Sequence, residues 1–177
     1  MVASLGLSAC TALPTYRYAI RGAGPIHTNL DDFAYSVGTV FADSRGWAHD
    51  GRRFQRVPLG SSVDFTLVLA TPDRLPTFSA DCSVSYSCTV GDNVIINEAR
   101  WDRATFAYPW PLTRADYRRM VVNHEVGHWL GFNHAFCSRA GATAAVMQQQ
   151  SISLQGCRAN PFPTAAELAR LPSLQHH

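Results

Sequence analysis

The chain has 177 residues, of which 46% are hydrophobic and 16% are charged, values typical of a globular protein and not of a disordered one. Its net charge of +2 is too weak to indicate nucleic-acid binding, and no apolar run approaches the ~18 residues needed to cross a bilayer. We therefore predict one domain over residues 16–172, with a signal-like or disordered segment at 1–15 and a disordered tail at 173–177.

The N-terminal segment contains Leu7-Ser8-Ala9-Cys10, which resembles the lipobox of bacterial lipoproteins, where the cysteine is lipidated. Residues 1–9 lack the basic start and the full apolar stretch of a signal peptide. A truncated start and an accidental match explain this equally well. Cys10 is therefore a candidate for lipidation, and with it for an anchor on the outer face of the cell membrane.

Hydrophobic patterning in the first half predicts a sheet with a helix behind it. Residues 16–21 alternate as a strand does, and Asn29 or Thr28 can cap a helix over residues 30–42 whose apolar positions share one face. Further strands are predicted at 53–57, 63–71 and 93–101, and the second of these is apolar enough to be central.

Two capping signals predict helices in the second half. Thr113 stands three residues before Asp116, which resembles a capping box and marks the start of a long helix. Thr164 and Glu167 form a second box, which predicts a short last helix that ends near Leu171.

Residues 124–134 match the pattern H-E-x-x-H-x-x-G-x-x-H at every fixed position. His124 and His128 lie about one turn apart on one helix face, so both imidazoles can bind a single metal ion, with Glu125 beside them. Gly131 permits a sharp turn that can return His134 as a third ligand. Without a metal, three buried imidazoles in one patch would be costly.

Four of the five cysteines are arranged in local pairs. Cys82 and Cys88 flank a short polar loop, and Cys137 and Cys157 bracket Met147. Four cysteines can be connected in three ways, and we favour the one in which both disulfides are local, Cys82–Cys88 and Cys137–Cys157. Such disulfides indicate an oxidising compartment outside the cytoplasm. Free buried thiols in a reducing compartment are the alternative.

The extended histidine motif resembles that of the metzincin zinc peptidases, which place a methionine-containing turn downstream, as Met147 is placed here. Over residues 16–165 the chain resembles more specifically a family of secreted bacterial metzincin-like domains of unknown function, through the stretches 54–57, 97–101, 122–128, 146–150 and 156–157. The resemblance implies an α+β fold with a twisted mixed sheet of four to five strands, a backing helix, an active-site helix and a short C-terminal helix.

The same resemblance implies roles for several residues. Met147 would lie beneath the zinc without binding it. The strand at 93–101 would be an edge strand that pairs with substrate, and an ordinary strand of the sheet is the alternative. Gln149 stands where some metzincins have a tyrosine that assists the oxyanion, so Tyr108 and Tyr117 are the tyrosines considered for that role. Three tryptophans could line a specificity pocket, although core packing is favoured for each: Trp101, Trp110 and Trp129.

Three neutral imidazoles with one open position suit a single catalytic zinc ion, which would activate water while Glu125 acts as general base. We predict an extracytoplasmic zinc endopeptidase, secreted or lipid-anchored and monomeric, that hydrolyses peptide or protein substrates. Two alternatives stay open: a non-catalytic, zinc-stabilised binding module on the same scaffold, and an amidase that cleaves cell-wall peptide cross-links.

Overall fold

The computed structural model describes residues 13–109 and 111–171, so that Cys10, Trp110 and the predicted tail lie outside the described residues. Within these two ranges, no helix combines the length and the apolar character needed to span a bilayer. The elements in chain order are β1 (Thr15–Ala23), α1 (Leu30–Ala42), β2 (Arg53–Arg56), β3 (Phe65–Ala70), a 3-10 helix (Pro72–Thr77), β4 (Cys88–Val90), β5 (Asn93–Asn97), α2 (Glu98–Arg103), α3 (Arg114–Trp129) and α4 (Ala165–Leu168).

The five strands form one mixed sheet in the order β2-β1-β3-β5-β4. All neighbouring pairs are parallel except β4 and β5, which pair antiparallel and place β4 at one edge. The central strand β3 is buried on both sides: Phe65, Leu67 and Leu69 join the main core, while Val68 and Ala70 join a smaller cluster on the opposite face. This sheet and its helices confirm the predicted fold class.

Helix α1 backs the sheet and begins where the capping signal predicts. The Asn29 side chain accepts hydrogen bonds from the backbone N–H groups of Asp31 and Asp32, which have no partner inside the helix. Its apolar residues at helical spacing form one stripe that packs into the main core together with α3. The buried residues of this stripe are Phe33, Ala34, Val37, Val40 and Phe41.

Two predictions about the strand at 93–101 are wrong. First, β5 ends at Asn97, because the Asn97 side chain accepts from the N–H groups of Ala99 and Arg100 and so starts α2. Second, β5 lies between β3 and β4 and is not the sheet edge. The strand at that edge of the sheet is β4, and β2 forms the other edge. The sequence carries no strand signal for β4, because three residues are too few to reveal an alternating pattern.

Helix α3 approaches Met147 closely because residue 127 has no side chain. A Cβ atom at Gly127 would overlap Met147 Sδ and would stand 3.0 Å from Trp47 Cζ2. Both neighbours are almost fully buried and have little room to move. Gly127, which occupies a variable position of the histidine motif, is thus a packing requirement for the floor of the site.

We expect Gly127→Ala to lower the free energy of unfolding by about 1–3 kcal/mol, because the added methyl group overpacks the core. Gly38 is the matched control, since it lies inside α1 and its Cβ position has no atom within 4 Å. Gly38→Ala should stabilise the protein by about 0.5–1 kcal/mol. Urea unfolding of both variants measures this; equal stabilisation by the two would contradict the packing argument.

Candidate metal centre

Helix α3 carries the first part of the site into the fold. The Thr113 hydroxyl accepts from the N–H of Asp116, and the Asp116 carboxylate accepts from the N–H of Thr113, which is the predicted capping box. From this start the helix buries one side against the sheet. His124 and Glu125, which are adjacent in the helix, lie on that buried side and are only 8% and 4% exposed.

The end of α3 turns the chain back toward the site. Gly131 has a φ of 93°, a left-handed conformation that favours glycine. The Gly131 N–H donates to the His128 carbonyl and the Phe132 N–H donates to the Gly127 carbonyl, both at 2.9 Å, which are the paired bonds of a Schellman motif. The turn therefore satisfies the last carbonyls of the helix and sends residue 134 back beside residue 128.

The three histidines of the motif meet at one point. His128 Nε2 lies 3.2 Å from His124 Nε2 and 3.1 Å from His134 Nε2. Three nitrogens bound at the usual zinc distance in a tetrahedral arrangement would stand about 3.3 Å apart. Among the described residues, this is the group of metal-binding side chains whose ligand atoms converge, all within 4.8 Å of one another.

Backbone carbonyls fix the protonation of two of these rings. His124 Nδ1 lies 2.8 Å from the Val146 carbonyl and His128 Nδ1 lies 2.9 Å from the Phe132 carbonyl. Because a carbonyl can only accept, each Nδ1 must carry the hydrogen, and each Nε2 presents a lone pair to the cluster.

Burial keeps the cluster neutral. It lowers the pKa of His124 to about 3, with repulsion from His128 adding to the shift, and it also lowers the pKa values of His128 and His134. The neutral rings of His124 and His128 face each other with lone pairs and no hydrogen between them, so they repel one another unless a cation lies between them. The donor set therefore fits a metal ion that accepts nitrogen ligands, such as zinc.

The segment around Met147 lies beneath this cluster and is held from three sides. The Met147 carbonyl accepts from the N–H of Ala135, next to His134. The buried carboxylate of Glu167 accepts from the N–H groups of Val146 and Met147, at 3.1 and 2.9 Å. The Val146 carbonyl in turn accepts from His124 Nδ1. The peptide group between Val146 and Met147 therefore connects Glu167, near the C-terminus, to a candidate metal ligand.

Glu125 points into the same site from the helix and has one side-chain partner. Thr89 Oγ1, in the middle of β4, lies 2.9 Å from Glu125 Oε2 and 2.9 Å from the Glu125 carbonyl oxygen. Burial raises the pKa of Glu125 to about 8, while the hydrogen bond from Thr89 acts in the opposite direction. A carboxylate in such a setting suits proton transfer near neutral pH.

A cleft with a volume of about 1080 Å³ opens over the three histidines and Glu125. Residues 87–92, which include all of β4, line one side of it, and residues 149–152 line another. Gln149 and Trp129 are among the lining residues. A cleft of this size, with convergent polar groups at its floor, can hold a segment of peptide.

Of the other aromatic candidates, the three within the described residues, Trp101, Tyr108 and Tyr117, do not line this cleft. Trp101 is buried in the main core. Tyr108 and Tyr117 pack edge to face, and the Tyr117 hydroxyl lies 2.9 Å from Ser151 Oγ beneath the cleft wall. Neither tyrosine takes the place of the oxyanion tyrosine that some metzincins have.

Both local disulfides are present, Cys82–Cys88 and Cys137–Cys157, the pairing that the sequence favours. The second encloses the segment that contains Met147, and the first ends one residue before Thr89. A cross-link limits the conformations of the unfolded chain and holds the segment it closes.

Two residues that hold the site together were missed at the level of sequence. Thr89 lies in a segment without strand signal, and no local pattern relates it to Glu125, 36 residues away. Glu167 was found only as the capping partner of Thr164, which it also is. Its contact with the Met147 segment depends on where α4 packs.

The fold is similar to that of archaemetzincin (amzA) from Methanopyrus kandleri, with a TM-score of 0.51 and 14% sequence identity over 94% of this chain and 98% of that chain. At this identity the likeness is one of fold. Residues 5–167 match the family described as "Protein of unknown function (DUF3152)", and the chain belongs to that family. No curated protein sequence matches the chain significantly.

We expect Glu167→Ala to lower the free energy of unfolding by about 2–5 kcal/mol, because two buried N–H groups beneath the histidines lose their acceptor. The control is Thr164→Ala, which removes a helix cap but leaves those two bonds in place, and which should cost about 1 kcal/mol. Chemical denaturation of both variants checks this. Equal losses would mean that Glu167 acts only as a cap.

Proposed function

We propose that this protein is an extracytoplasmic zinc-dependent peptidase. The observation that carries the proposal is the convergence of three Nε2 atoms beside the buried carboxylate of Glu125, at the floor of an open cleft. His124, His128 and His134 are the proposed metal ligands, and Glu125 is the proposed general base. The similarity of the fold to archaemetzincin is consistent with this assignment.

A zinc ion held by the three histidines would polarise the substrate carbonyl, lower the pKa of a nearby water and favour the ionised form of Glu125. The protein's own contribution is to hold the ligand rings in one tautomer through the carbonyls of Val146 and Phe132. Its second contribution is to keep one carboxylate oxygen oriented toward the cleft.

The proton transfers of the reaction fall to Glu125. Oε2 accepts the bond from Thr89, and Oε1 accepts none from the described residues, which leaves Oε1 as the oxygen that takes a proton from a water in the cleft. The water oxygen then bonds to the carbonyl carbon of the peptide. As the C–N bond breaks, the same proton passes from Oε1 to the departing amine nitrogen, and the carboxylate is restored.

The proposed substrate is an extended peptide or protein segment bound along the cleft. We assign the substrate-pairing role to β4, the antiparallel edge strand, in place of the strand predicted at 93–101. The two disulfides support a location outside the cytoplasm, where disulfides persist.

We expect metal-free protein to bind one zinc ion per chain and to gain thermal stability, about 2.7 kcal/mol when free zinc is 100 times its Kd. Substitution of His124, His128 or His134 by alanine should abolish that gain, because each removes a ligand. His27→Ala and His49→Ala are the controls, since both side chains are exposed and far from the cluster in sequence. Calorimetric titration and thermal unfolding give the answer, and tight zinc binding by all three ligand variants would refute the assignment.

We expect Glu125→Gln to retain zinc and to cleave unfolded protein at least about 100-fold more slowly than the unmodified chain, because the amide cannot accept the water proton. Elemental analysis and peptide release, measured on one preparation, test both parts. Purified cell-wall material is assayed beside the protein substrate. Cleavage of wall peptides alone would favour the amidase, and stabilisation by zinc without any cleavage would favour the binding module.

A further inference from the structure

The contact between Thr89 and Glu125 joins the edge of the sheet to the active-site helix. Thr89 is the middle residue of β4 and pairs with Val94 of β5. Its hydroxyl oxygen lies 2.9 Å from both Oε2 and the carbonyl oxygen of Glu125, so its single hydrogen is shared between two acceptors of the same residue. The side chain is half-buried, so its hydroxyl is partly shielded from water that would compete for these bonds.

Position 89 faces the helix because side chains alternate along a strand. Cys88 and Val90, on either side, pack into the smaller hydrophobic cluster on the far face of the sheet. Cys88 is also bonded to Cys82, which anchors the start of the strand. The strand is therefore held in a register in which residue 89 alone of its three residues points to Glu125.

The bond to Oε2 has a specific consequence for Glu125. A carboxylate can turn about its last side-chain torsion with little resistance, and this would exchange its two oxygens. A hydroxyl fixed on the strand selects one oxygen as its acceptor and so orients the other. It also supplies a donor to a buried carboxylate oxygen that would otherwise be desolvated without compensation.

We propose that Thr89 is a positioning residue, whose hydroxyl holds Glu125 Oε2 and so directs Oε1 toward the substrate cleft. This inference rests on the proposed function, in which Oε1 takes the proton from water. Thr89 itself moves no proton and touches no reacting atom. Because β4 also forms one side of the cleft, the element proposed to bind substrate is the same one that orients the base.

The kinetic test compares Thr89→Val with Thr89→Ser in zinc-loaded protein. Valine has nearly the shape of threonine but no hydroxyl, so kcat should fall about 10- to 100-fold while KM and zinc content stay unchanged. Serine keeps the hydroxyl and should retain most of the rate. Thr66→Val is the matched control, because Thr66 lies in β3 of the same sheet and does not line the cleft. An unchanged kcat in Thr89→Val, or an equal loss in Thr89→Ser, overturns the proposal.

A double-mutant cycle separates positioning from a general effect on structure. In the Glu125→Gln background, Thr89→Val should cause no further loss of rate, since the oriented group is already gone. If Thr89→Val lowers the rate in this background by the same factor as in the unmodified chain, Thr89 acts on something other than Glu125. If Thr89→Val does not fold, Thr89→Ala removes the same hydroxyl with a smaller side chain and takes its place.

A second measurement needs no catalysis and keeps the inference separate from the proposed function. The chain contains three glutamates, Glu98, Glu125 and Glu167, so protein labelled with carbon-13 at the side-chain carboxyl gives three NMR signals. Glu125→Gln identifies one of them. Thr89→Val should move that signal and leave the other two, Thr89→Ser should restore it, and Thr66→Val should move none.

The outcomes are distinguishable. A protein that holds no zinc or cleaves nothing refutes the proposed function, while the NMR signal still decides whether Thr89 holds Glu125. A Glu125 signal that stays in place in Thr89→Val overturns the inference, whatever the protein cleaves.

Discussion

Two hydrogen bonds from histidine Nδ1 atoms to backbone carbonyls are the interactions on which the rest of the site depends. They connect His124 to Val146 and His128 to Phe132, and they force both Nε2 lone pairs toward the same point. The Phe132 carbonyl is held by the Schellman turn at Gly131. The Val146 carbonyl is held through the N–H of the same peptide group, that of Met147, which donates to the Glu167 carboxylate. Ring orientation is thus set by backbone geometry before any ion binds.

The scaffold converges on this point from elements that are distant in sequence. Helix α3 supplies two histidines and Glu125, the turn after it supplies His134, and the segment around Met147 closes the floor against Gly127. The edge strand β4 adds Thr89 from the opposite wall. The two buried polar side chains among these, His124 and Glu125, each have a hydrogen-bond partner, which is how polar side chains can lie inside a core at tolerable cost.

Much of the site could be predicted because its signals are local. A capping box, a four-residue histidine spacing and a glycine after the helix are all read within the segment of about 20 residues that contains them. The cap of α3 at Thr113, and Asn29 as one of two candidate caps of α1, were predicted for the same reason. Strand 93–101 was misread because side-chain alternation cannot show that Asn97 caps a helix or which neighbour a strand pairs with.

The sequence by itself determined the segment that carries the three converging histidines, because helical periodicity and the freedom of glycine act between near neighbours along the chain. It also determined the mixed α and β character of the fold, since the burial of one face spaces apolar residues about 3.6 apart in a helix and 2 apart in a strand. Only the tertiary structure decided that β4 forms one edge of the sheet, that Thr89 contacts Glu125 and that Glu167 supports the floor of the site. These contacts join residues 20 to 36 positions apart, and their existence follows from packing, which no local pattern encodes.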